Sequence, residues 1–364
     1  MATPFHFVFL FLVGAPLISA TVHDRSCGND TNNYWLDVVL VIDNSENMIN
    51  TNVYETISAI FGPKSQIGTG YKDPRSTRVG IITYNYNATM VANLKAIKSL
   101  QQLQTQLTTL KNAGNQVFEN SNQTNLDTGL LDAQYIFNNT YDRVNYQKVV
   151  IVFTSGYDYA MTSPDAIARA LRSNFVNIIT VNTGKDKTVS KQLATLASNK
   201  MAYTMSENIT AELQNALATI NCFCPDGWVP YKHYGVCLYT ISQTKHRANA
   251  NQVCQSLGVP ASLPTEFNQK KREFNYELLN SGNLRVNSYW NGLTNQNGSW
   301  YWEQPKGKPL IPLDPSSGTV PPNSVCVADV EFSDKTVHWS SVNCANTFYF
   351  LCEVATCDTD NYCD

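Results

Sequence analysis

The chain has 364 residues, with 26 Lys and Arg against 29 Asp and Glu. This length predicts two domains of about 100–200 residues each, and a net charge of −3 without a basic cluster argues against a nucleic-acid partner. Charged residues make up 15% of the chain and hydrophobic residues 43%, which excludes a highly charged disordered chain, a coiled coil and a membrane bundle. Uncharged polar side chains must therefore supply most of the surface polarity.

The first 20 residues form an apolar stretch that ends in Ser19-Ala20. Such a stretch is typical of a secretory signal peptide, and we expect residues 1–20 to be removed after Ala20. The continuous apolar run from Phe7 to Val13 is too short to span a bilayer. The sequence therefore predicts a secreted, extracellular protein without membrane insertion.

Two further features predict passage through an oxidising compartment. The ten cysteines are an even number, as expected when thiols are paired in disulfides. Asn-x-Ser/Thr sequons are candidate glycosylation sites, and the chain has six of them, at Asn29, Asn87, Asn122, Asn138, Asn208 and Asn297. We expect several of these to carry glycans.

The cysteines divide the chain into two regions. None lies between Cys27 and Cys222, whereas nine lie from Cys222 to Cys363, so we expect a domain boundary near residues 221–224. The first region alternates short β-branched runs at 36–42, 78–83, 148–153 and 177–182 with helical patterns at Lys95–Leu110, Leu126–Phe137, Pro164–Asn174, Val189–Ser198 and Ile209–Ile220. This alternation predicts an α/β doubly wound domain that binds ligands at the carboxyl ends of its strands.

The second region is rich in Trp, Tyr, Gly, Pro and Cys. Two helical patterns, Thr244–Leu257 and Glu266–Leu279, precede short strands and long loops. This order predicts an α+β domain braced by disulfides. Residues 354–364 follow it as a short tail that contains cysteines of its own.

The first predicted strand ends in Asp43-Asn44-Ser45-Glu46-Asn47, which resembles the D-x-S-x-S motif of von Willebrand factor type A domains. The resemblance extends over residues 36–220. It implies one Mg²⁺ or Mn²⁺ ion held by oxygen ligands from three loops, with an acidic residue of the partner protein completing the octahedron.

Three ligand positions depart from that family pattern. Asn47 replaces the second Ser, Leu126 stands at the Thr position of T-x-T-G, and Ser155 replaces the Asp of T-D-G. Leucine has no donor atom, although Thr124 or Asp127 is an alternative to Leu126, and a lost carboxylate removes much of the attraction for a divalent ion. We therefore expect a degenerate site of Asp43, Ser45, Asn47 and Ser155 without an ion; the alternative is a retained Mg²⁺.

Residues 224–353 resemble a C-type lectin-like domain. The resemblance rests on landmarks in a fixed order, namely Cys224-Pro225-Asp226-Gly227-Trp228, Cys237-Leu238-Tyr239, Cys254, Trp290-Asn291-Gly292-Leu293, Trp300, Trp302, Cys326-Val327, Trp339, Cys344 and Phe350-Leu351-Cys352-Glu353. Asn291 departs from the family's W-I-G-L. The resemblance implies the disulfides Cys224–Cys237, Cys254–Cys352 and Cys326–Cys344.

Four cysteines remain outside that set. Cys27 and Cys222 flank the α/β domain, and we expect a disulfide Cys27–Cys222 that joins its two ends, as in some type A domains. Cys357 and Cys363 are expected to close a small tail loop as Cys357–Cys363, or alternatively to bridge two chains. The sequence thus leaves the oligomeric state open.

In calcium-dependent lectin members, two carbonyl-bearing residues around a proline and a later W-N-D hold Ca²⁺, which sugar hydroxyls also coordinate. Here the W-N-D position reads Trp339-Ser340-Ser341, and the nearest equivalent of E-P-N is Asp314-Pro315-Ser316. Ca²⁺ takes about six to eight oxygen ligands, more than this loop supplies. We expect a degenerate lectin site of Asp314, Ser316, Ser340 and Ser341, with bound Ca²⁺ as the alternative.

The sequence contains no G-x-S-x-G, H-E-x-x-H or phosphate-loop motif, so we expect neither an enzyme nor a cofactor. The combination of domains resembles secreted nematode proteins that join one type A domain to one C-type lectin-like domain. The resemblance implies extracellular recognition of glycan or protein surfaces, often in innate defence. The alternative is a structural or adhesive extracellular-matrix protein that uses both domains as scaffolds for protein contacts.

Overall fold

The structure, a computed structural model, describes residues 25–48, 51–69, 75–114, 123–141, 143, 145–158, 161–231, 235–282 and 284–363. The expected signal peptide 1–20 and the sequon Asn122 lie outside the described residues. Within the described ranges the chain forms an α/β region, whose last helix ends at Ile220, and an α+β region, whose first strand begins at Val229.

The first region is built on a six-stranded sheet with the order β3-β2-β1-β4-β5-β6. Its strands are β1 (Leu36–Asp43), β2 (Arg78–Tyr84), β3 (Ala88–Ala92), β4 (Gln147–Thr154), β5 (Val176–Asn182) and β6 (Ala202–Thr204). β3 runs antiparallel to β2, and the other pairs are parallel. Every residue of β1 and β2 is buried, as expected for strands covered on both faces.

Helices cover both faces of this sheet. They are α1 (Val53–Ile60), α2 (Leu100–Gly114), α3 (Leu126–Asn138), α4 (Asp165–Ser173), α5 (Lys187–Leu196) and α6 (Ile209–Ile220). Residues of α1, α2 and α6 form one hydrophobic core with the sheet, and residues of α3, α4 and α5 form a second core. The predicted doubly wound α/β fold is confirmed.

Helix α2 begins later than the helical pattern from Lys95 predicts. The Ser99 hydroxyl accepts a hydrogen bond from the Gln102 amide (3.1 Å), and Gln102 Oε1 accepts one from the Lys98 amide (2.9 Å). This reciprocal capping defines the start of the helix at the residue after Ser99. The elements α1, β3 and β6 were not predicted, because runs of 8, 5 and 3 residues are too short for a clear period.

The second region combines two antiparallel-rich sheets with α7 (Arg247–Gln255) and α8 (Gln269–Asn280). Its strands are β7 (Val229–Tyr231), β8 (Val236–Lys245), β9 (Ser288–Trp290), β10 (Leu293–Gln296), β11 (Ser299–Trp302), β12 (Ile311–Pro312), β13 (Cys326–Glu331), β14 (Val337–Val342) and β15 (Phe348–Ala355). The larger sheet has the order β14-β13-β9-β15-β8-β7 and the smaller one β10-β11-β12. The predicted α+β fold braced by disulfides is confirmed.

The described cysteines are all paired. The disulfides are Cys27–Cys222, Cys224–Cys237, Cys254–Cys352, Cys326–Cys344 and Cys357–Cys363. The tail cysteines therefore bond within the chain in this structure. The five described sequon asparagines, Asn29, Asn87, Asn138, Asn208 and Asn297, are all exposed. Among the described helices, none has the length and apolar character needed to cross a membrane.

Candidate functional site

Asp43 and Thr154 end neighbouring parallel strands at the carboxyl edge of the first sheet. The register pairs Ile42 with Phe153, so Asp43 and Thr154 lie side by side. The loop after β4 then places Ser155 against Asp43. Because Asp43 is 1% exposed and Ser45 is 2% exposed, this edge presents a buried carboxylate rather than a solvated one.

Hydrogen bonds from two loops hold the Asp43 carboxylate. Its Oδ1 accepts from the Ser45 amide (2.8 Å), and its Oδ2 accepts from the amide (3.0 Å) and the hydroxyl (2.8 Å) of Ser155. Burial raises the pKa of Asp43, and the hydrogen bonds from Ser45 and Ser155 oppose that rise. Ser155 therefore donates to Asp43 at the position where the type A pattern has a second carboxylate.

The remaining predicted ligands have different positions. Asn47 is exposed, whereas the Leu126 side chain is buried in the core that α3 forms with the sheet. Thr124 is buried, and its carbonyl accepts from the Asp158 amide (3.0 Å), so Thr124 rather than Leu126 meets the loop after β4. Asp127 lies half-buried in the first turn of α3, and burial raises its pKa.

This set of donors does not fit the Mg²⁺ or Mn²⁺ ion of the type A pattern. Mg²⁺ requires octahedral oxygen ligands and usually one or two carboxylates, but Oδ2 of Asp43 already accepts two hydrogen bonds from Ser155. Among the described residues, Asn44 Oδ1, Ser45 Oγ and Asn125 Oδ1 are buried without a hydrogen-bond partner. These oxygens are neutral and attract a divalent cation far less than a carboxylate does.

Ser155→Asp tests this assignment by restoring the second carboxylate. Without metal we expect the free energy of unfolding to fall by about 2–4 kcal/mol, because a second charge meets buried Asp43 and a hydrogen bond is lost. Millimolar Mn²⁺ should recover much of that loss in thermal denaturation. Ser155→Asn is the neutral control and should not respond to Mn²⁺. An equal Mn²⁺ response in the unmodified protein would contradict the assignment.

The predicted lectin site lies where the loop after β12 approaches β14. Asp314 caps the one-turn helix Pro315–Ser317, and its Oδ1 accepts from the Ser316 amide (2.8 Å). Gly318 lies so close to Trp339 that a Cβ added there would be 2.8 Å from the indole ring. The loop thus packs onto β14 by way of Trp339.

Ser340 and Ser341 belong to β14, where they lie opposite Ala328 and Val327 of β13. Ser340 is half-buried and Ser341 is exposed. Together with Asp314 and Ser316, these residues offer one carboxylate and three hydroxyls, and the carboxylate already accepts from a backbone amide. A Ca²⁺ ion prefers more oxygen ligands, including several carboxylate or carbonyl groups, so these donors do not fit it.

The tryptophans of this region are mainly core residues. Trp302 is 0% exposed and Trp339 is 6% exposed, and their rings meet edge to face at 5.6 Å. The Trp339 indole N–H donates to Glu266 Oε2 (3.0 Å). Trp300 is half-buried. Stacking of Trp302 or Trp339 on a sugar ring would therefore require the core to open.

A buried ionic network beneath Trp339 was not predicted from the sequence. Glu266 is 0% exposed and accepts from Tyr289 Oη (2.7 Å) and Asn275 Nδ2 (2.9 Å) as well as from Trp339. The Arg272 guanidinium lies 4.4 Å from the Trp339 ring centroid, and its Nε is 3.4 Å from Glu266 Oε2. A single buried carboxylate thus organises two helix residues, a strand residue and the indole.

Asp329 connects this network to the W-N-G-L motif. Asn291 Nδ2 donates to Asp329 Oδ2 (2.7 Å), and Asn291 Oδ1 accepts from the Leu293 amide (3.0 Å). Arg272 Nε lies 3.2 Å from Asp329 Oδ1. Asn291 thus hydrogen-bonds to a buried acid at a position where the family pattern has an apolar residue. This polar replacement is a trace of the network in the sequence.

Asp329→Asn should reduce the pH dependence of stability. Burial and the charge of Glu266 raise the pKa of Asp329, while Arg272 and Asn291 oppose that rise. The proton on folded Asp329 therefore contributes its full stabilisation below the unfolded-state pKa, about 3.9. This stabilisation is lost as the pH rises through the raised pKa of the folded state. Denaturant unfolding between pH 4 and 8 should show a slope shallower by up to about 1.4 kcal/mol per pH unit.

The control for this variant is Glu277→Gln, on the exposed side of α8. We expect its pH slope to match that of the unmodified protein. Equal slopes for Asp329→Asn and the unmodified protein would show that Asp329 takes up no proton on folding.

Two family models match the chain. Residues 37–219 match the von Willebrand factor type A domain, and residues 243–354 match the lectin C-type domain. C-type lectin domain-containing protein 160 of Caenorhabditis elegans is 23% identical over 372 residues, which cover 93% of this chain and 56% of that protein. The chain therefore spans about half the length of this curated relative.

Solved structures with similar folds include proximal thread matrix protein 1 from the mussel byssus, at 22% identity and a TM-score of 0.40, covering 53% of this chain and 47% of that one. Human lithostathine is 22% identical with a TM-score of 0.30, covering 36% of this chain and 90% of its own. The matching families are lectin and adhesion domains, usually non-enzymatic, and support an extracellular recognition or adhesion role. With half of its length in the type A match, the chain belongs to the von Willebrand factor type A domain family and carries a C-type lectin domain behind it.

Proposed function

We propose that this protein is secreted and binds glycan or protein surfaces in innate defence, without calcium-dependent sugar coordination. The donor chemistry of the lectin loop carries this proposal. Asp314 caps its own one-turn helix, and Ser340 and Ser341 supply hydroxyls where calcium-dependent lectins have carbonyl oxygens. Asp43 is likewise engaged by Ser155 in the type A domain.

A shallow groove in the lectin domain offers a surface for a polar ligand. Its volume is about 330 Å³, and it lies between α7, β10 and the loop at 303–310. The lining includes four amide side chains, Asn251, Gln255, Gln296 and Gln304, and three charged ones, Glu303, Lys306 and Lys308. An amide both donates and accepts hydrogen bonds, so this lining matches the hydroxyl groups of a sugar without any metal ion.

Secretion is supported by the disulfides and by the sequons. Five disulfides in one chain are typical of an oxidising compartment. The described sequon asparagines are exposed and accessible to a glycosylating enzyme. Mass spectrometry of the secreted protein after enzymatic deglycosylation should show Asn-to-Asp conversion at several of these positions.

The binding proposal is tested on arrays of glycans, microbial surfaces and extracellular-matrix proteins, each probed in EDTA and in Ca²⁺ with Mg²⁺. We expect the same glycan or microbial ligands in both buffers. The double variant Gln255→Ala/Gln296→Ala should lose that binding, because it removes two amides from the groove. Gln101→Ala, on the exposed face of α2, is the control and should bind normally.

Loss of all glycan binding in EDTA, with recovery in Ca²⁺, would overturn the proposal. Binding confined to matrix proteins would also overturn it and would favour a structural or adhesive role. The double variant Ser340→Asn/Ser341→Asp restores the W-N-D sequence and tests whether that sequence alone makes binding depend on Ca²⁺. We expect no gain of calcium dependence from it, because the loop at Asp314 still supplies too few ligands.

A further inference from the structure

The tail folds back onto the type A domain. Thr356, Cys357 and Asp358 are 0% exposed, and Thr359 is 4% exposed. The main chain of Cys357 pairs with that of Phe223, in the segment between the domains, through hydrogen bonds of 2.9 and 3.0 Å. The end of the lectin domain is therefore joined to the connecting segment by backbone pairing.

A partly buried ion pair joins the tail to the segment before β1, with the Asp358 side chain fully buried and the Arg25 side chain 26% exposed. The Asp358 carboxylate accepts from Arg25 Nη2 (2.6 Å to Oδ1), and Arg25 Nη1 also donates to the Thr356 hydroxyl (3.1 Å). The Asp358 carboxylate also accepts from the Thr356 hydroxyl and from the Asp360 and Asn361 amides, and Arg25 supplies the opposite charge that a buried carboxylate needs. Asp358 also lies within 4.8 Å of both sulfur atoms of Cys27–Cys222. Those sulfurs are not metal ligands here, because they form a disulfide.

Trp35, the residue before β1, joins three segments. Its ring is 0% exposed and lies 5.2 Å from Phe223 and 4.8 Å from Tyr362, measured between ring centroids. Its indole N–H donates to the Asp358 carbonyl (3.0 Å), and Tyr146 packs edge-on at 5.4 Å. One side chain of the type A domain thus contacts the connecting segment and the tail together.

At Gly28 the segment before β1 lies so close to the tail that a side chain larger than that of glycine does not fit. A Cβ added to Gly28 would lie 2.5 Å from Thr359 Oγ1 and 2.8 Å from the Asp360 amide nitrogen. Next to it, the Asp30 amide donates to Thr359 Oγ1 (3.1 Å). These contacts belong neither to the sheet of the type A domain nor to the sheets of the lectin domain.

We propose that residues 356–363 are an interdomain clasp that holds the two domains as one rigid unit. The small loop closed by Cys357–Cys363 presents Asp358, Thr359 and Tyr362 together to Arg25, Asp30 and Trp35. A rigid arrangement keeps the binding surfaces of the two domains at a fixed distance. When one surface binds a ligand, the other surface then encounters the same ligand at a high effective concentration. The clasp acts without any ligand and is therefore independent of the proposed function.

The test compares the unmodified full chain with a chain that ends at Ala355 and with Gly28→Ala. Gly282→Ala is the matched control, because a Cβ there meets no atom within 4 Å. Small-angle X-ray scattering reports the spread of domain arrangements, and hydrogen exchange reports the Phe223 amide directly. Amides of β1 and β13 serve as internal references for the folding of each domain.

We expect a wider distance distribution and at least about tenfold faster exchange at Phe223 in both clasp variants, with β1 and β13 still protected. The Gly282→Ala protein should match the unmodified one. Unchanged scattering and unchanged Phe223 exchange in the shortened chain would overturn the clasp. A change in scattering that occurs only in Gly28→Ala and together with loss of β1 protection would also count against the clasp, because the type A domain would then have unfolded.

Discussion

Replacing Cys27 and Cys222 with alanine is expected to lower the free energy of unfolding of the type A domain by about 5 kcal/mol. The disulfide joins residues separated by 195 positions, and the chain-entropy model assigns about that value to so long a loop. For a domain of this size the loss corresponds to a fall of about 10–20 °C in melting temperature. Hydrogen exchange of the β1 amides during thermal denaturation measures it.

The control is the double alanine variant at Cys224 and Cys237, whose disulfide spans 13 positions. A loop of that length is worth about 3 kcal/mol in the same model. Its loss should appear in the lectin domain and leave the β1 amides unaffected. If β1 in the Cys27/Cys222 variant unfolds at the melting temperature of the unmodified protein, the long disulfide contributes nothing to the stability of the first domain.

Glu266→Ala should destabilise the lectin domain by about 3–5 kcal/mol. The substitution leaves the buried donors of Tyr289, Asn275 and Trp339 without their acceptor, and it removes a carboxylate that faces Arg272. Asp329 can then ionise and take over the pairing with Arg272, because its Oδ1 lies 3.2 Å from Arg272 Nε. Denaturant unfolding monitored by tryptophan fluorescence measures the loss.

Two further variants separate charge from hydrogen bonding. Glu266→Gln keeps an acceptor oxygen and should cost less than Glu266→Ala. The double variant Glu266→Ala/Asp329→Asn should cost more than the sum of the two single variants, because it leaves Arg272 without a buried carboxylate. Additive costs would mean that Asp329 does not replace Glu266 as the partner of Arg272.

Much of the fold can be predicted from sequence because its strongest patterns reflect burial. The runs at β1 and β4 are continuous and β-branched, and strands covered on both faces of a parallel sheet have this composition. Short elements such as β6 cannot be predicted in this way, because three residues show no period. Helix α2 began late because Ser99 and Gln102 cap it, and capping competes with the apolar pattern.

The candidate sites were also predicted only in part from the sequence. Motif order identified Asp43, Ser155 and Asp314, since these residues occupy positions defined by their neighbours in sequence. The hydrogen bond between Ser155 and Asp43 joins residues 112 positions apart, and the contact of Asp329 with Asn291 spans 38. Such contacts depend on which loops the fold brings together. A single polar residue at a usually apolar position, Asn291, was the one trace of the buried network in the sequence.

We propose that both domains keep the positions of their families' metal sites but have lost the ligands that hold the ions. Isothermal titration calorimetry of Ca²⁺, Mg²⁺ and Mn²⁺ against the purified full chain tests this most directly. We expect no saturable binding of any of the three ions at millimolar concentration. Stoichiometric binding of Mg²⁺ or Mn²⁺ that Asp43→Ala abolishes, or of Ca²⁺ that Asp314→Ala abolishes, would show that the corresponding ion site is intact.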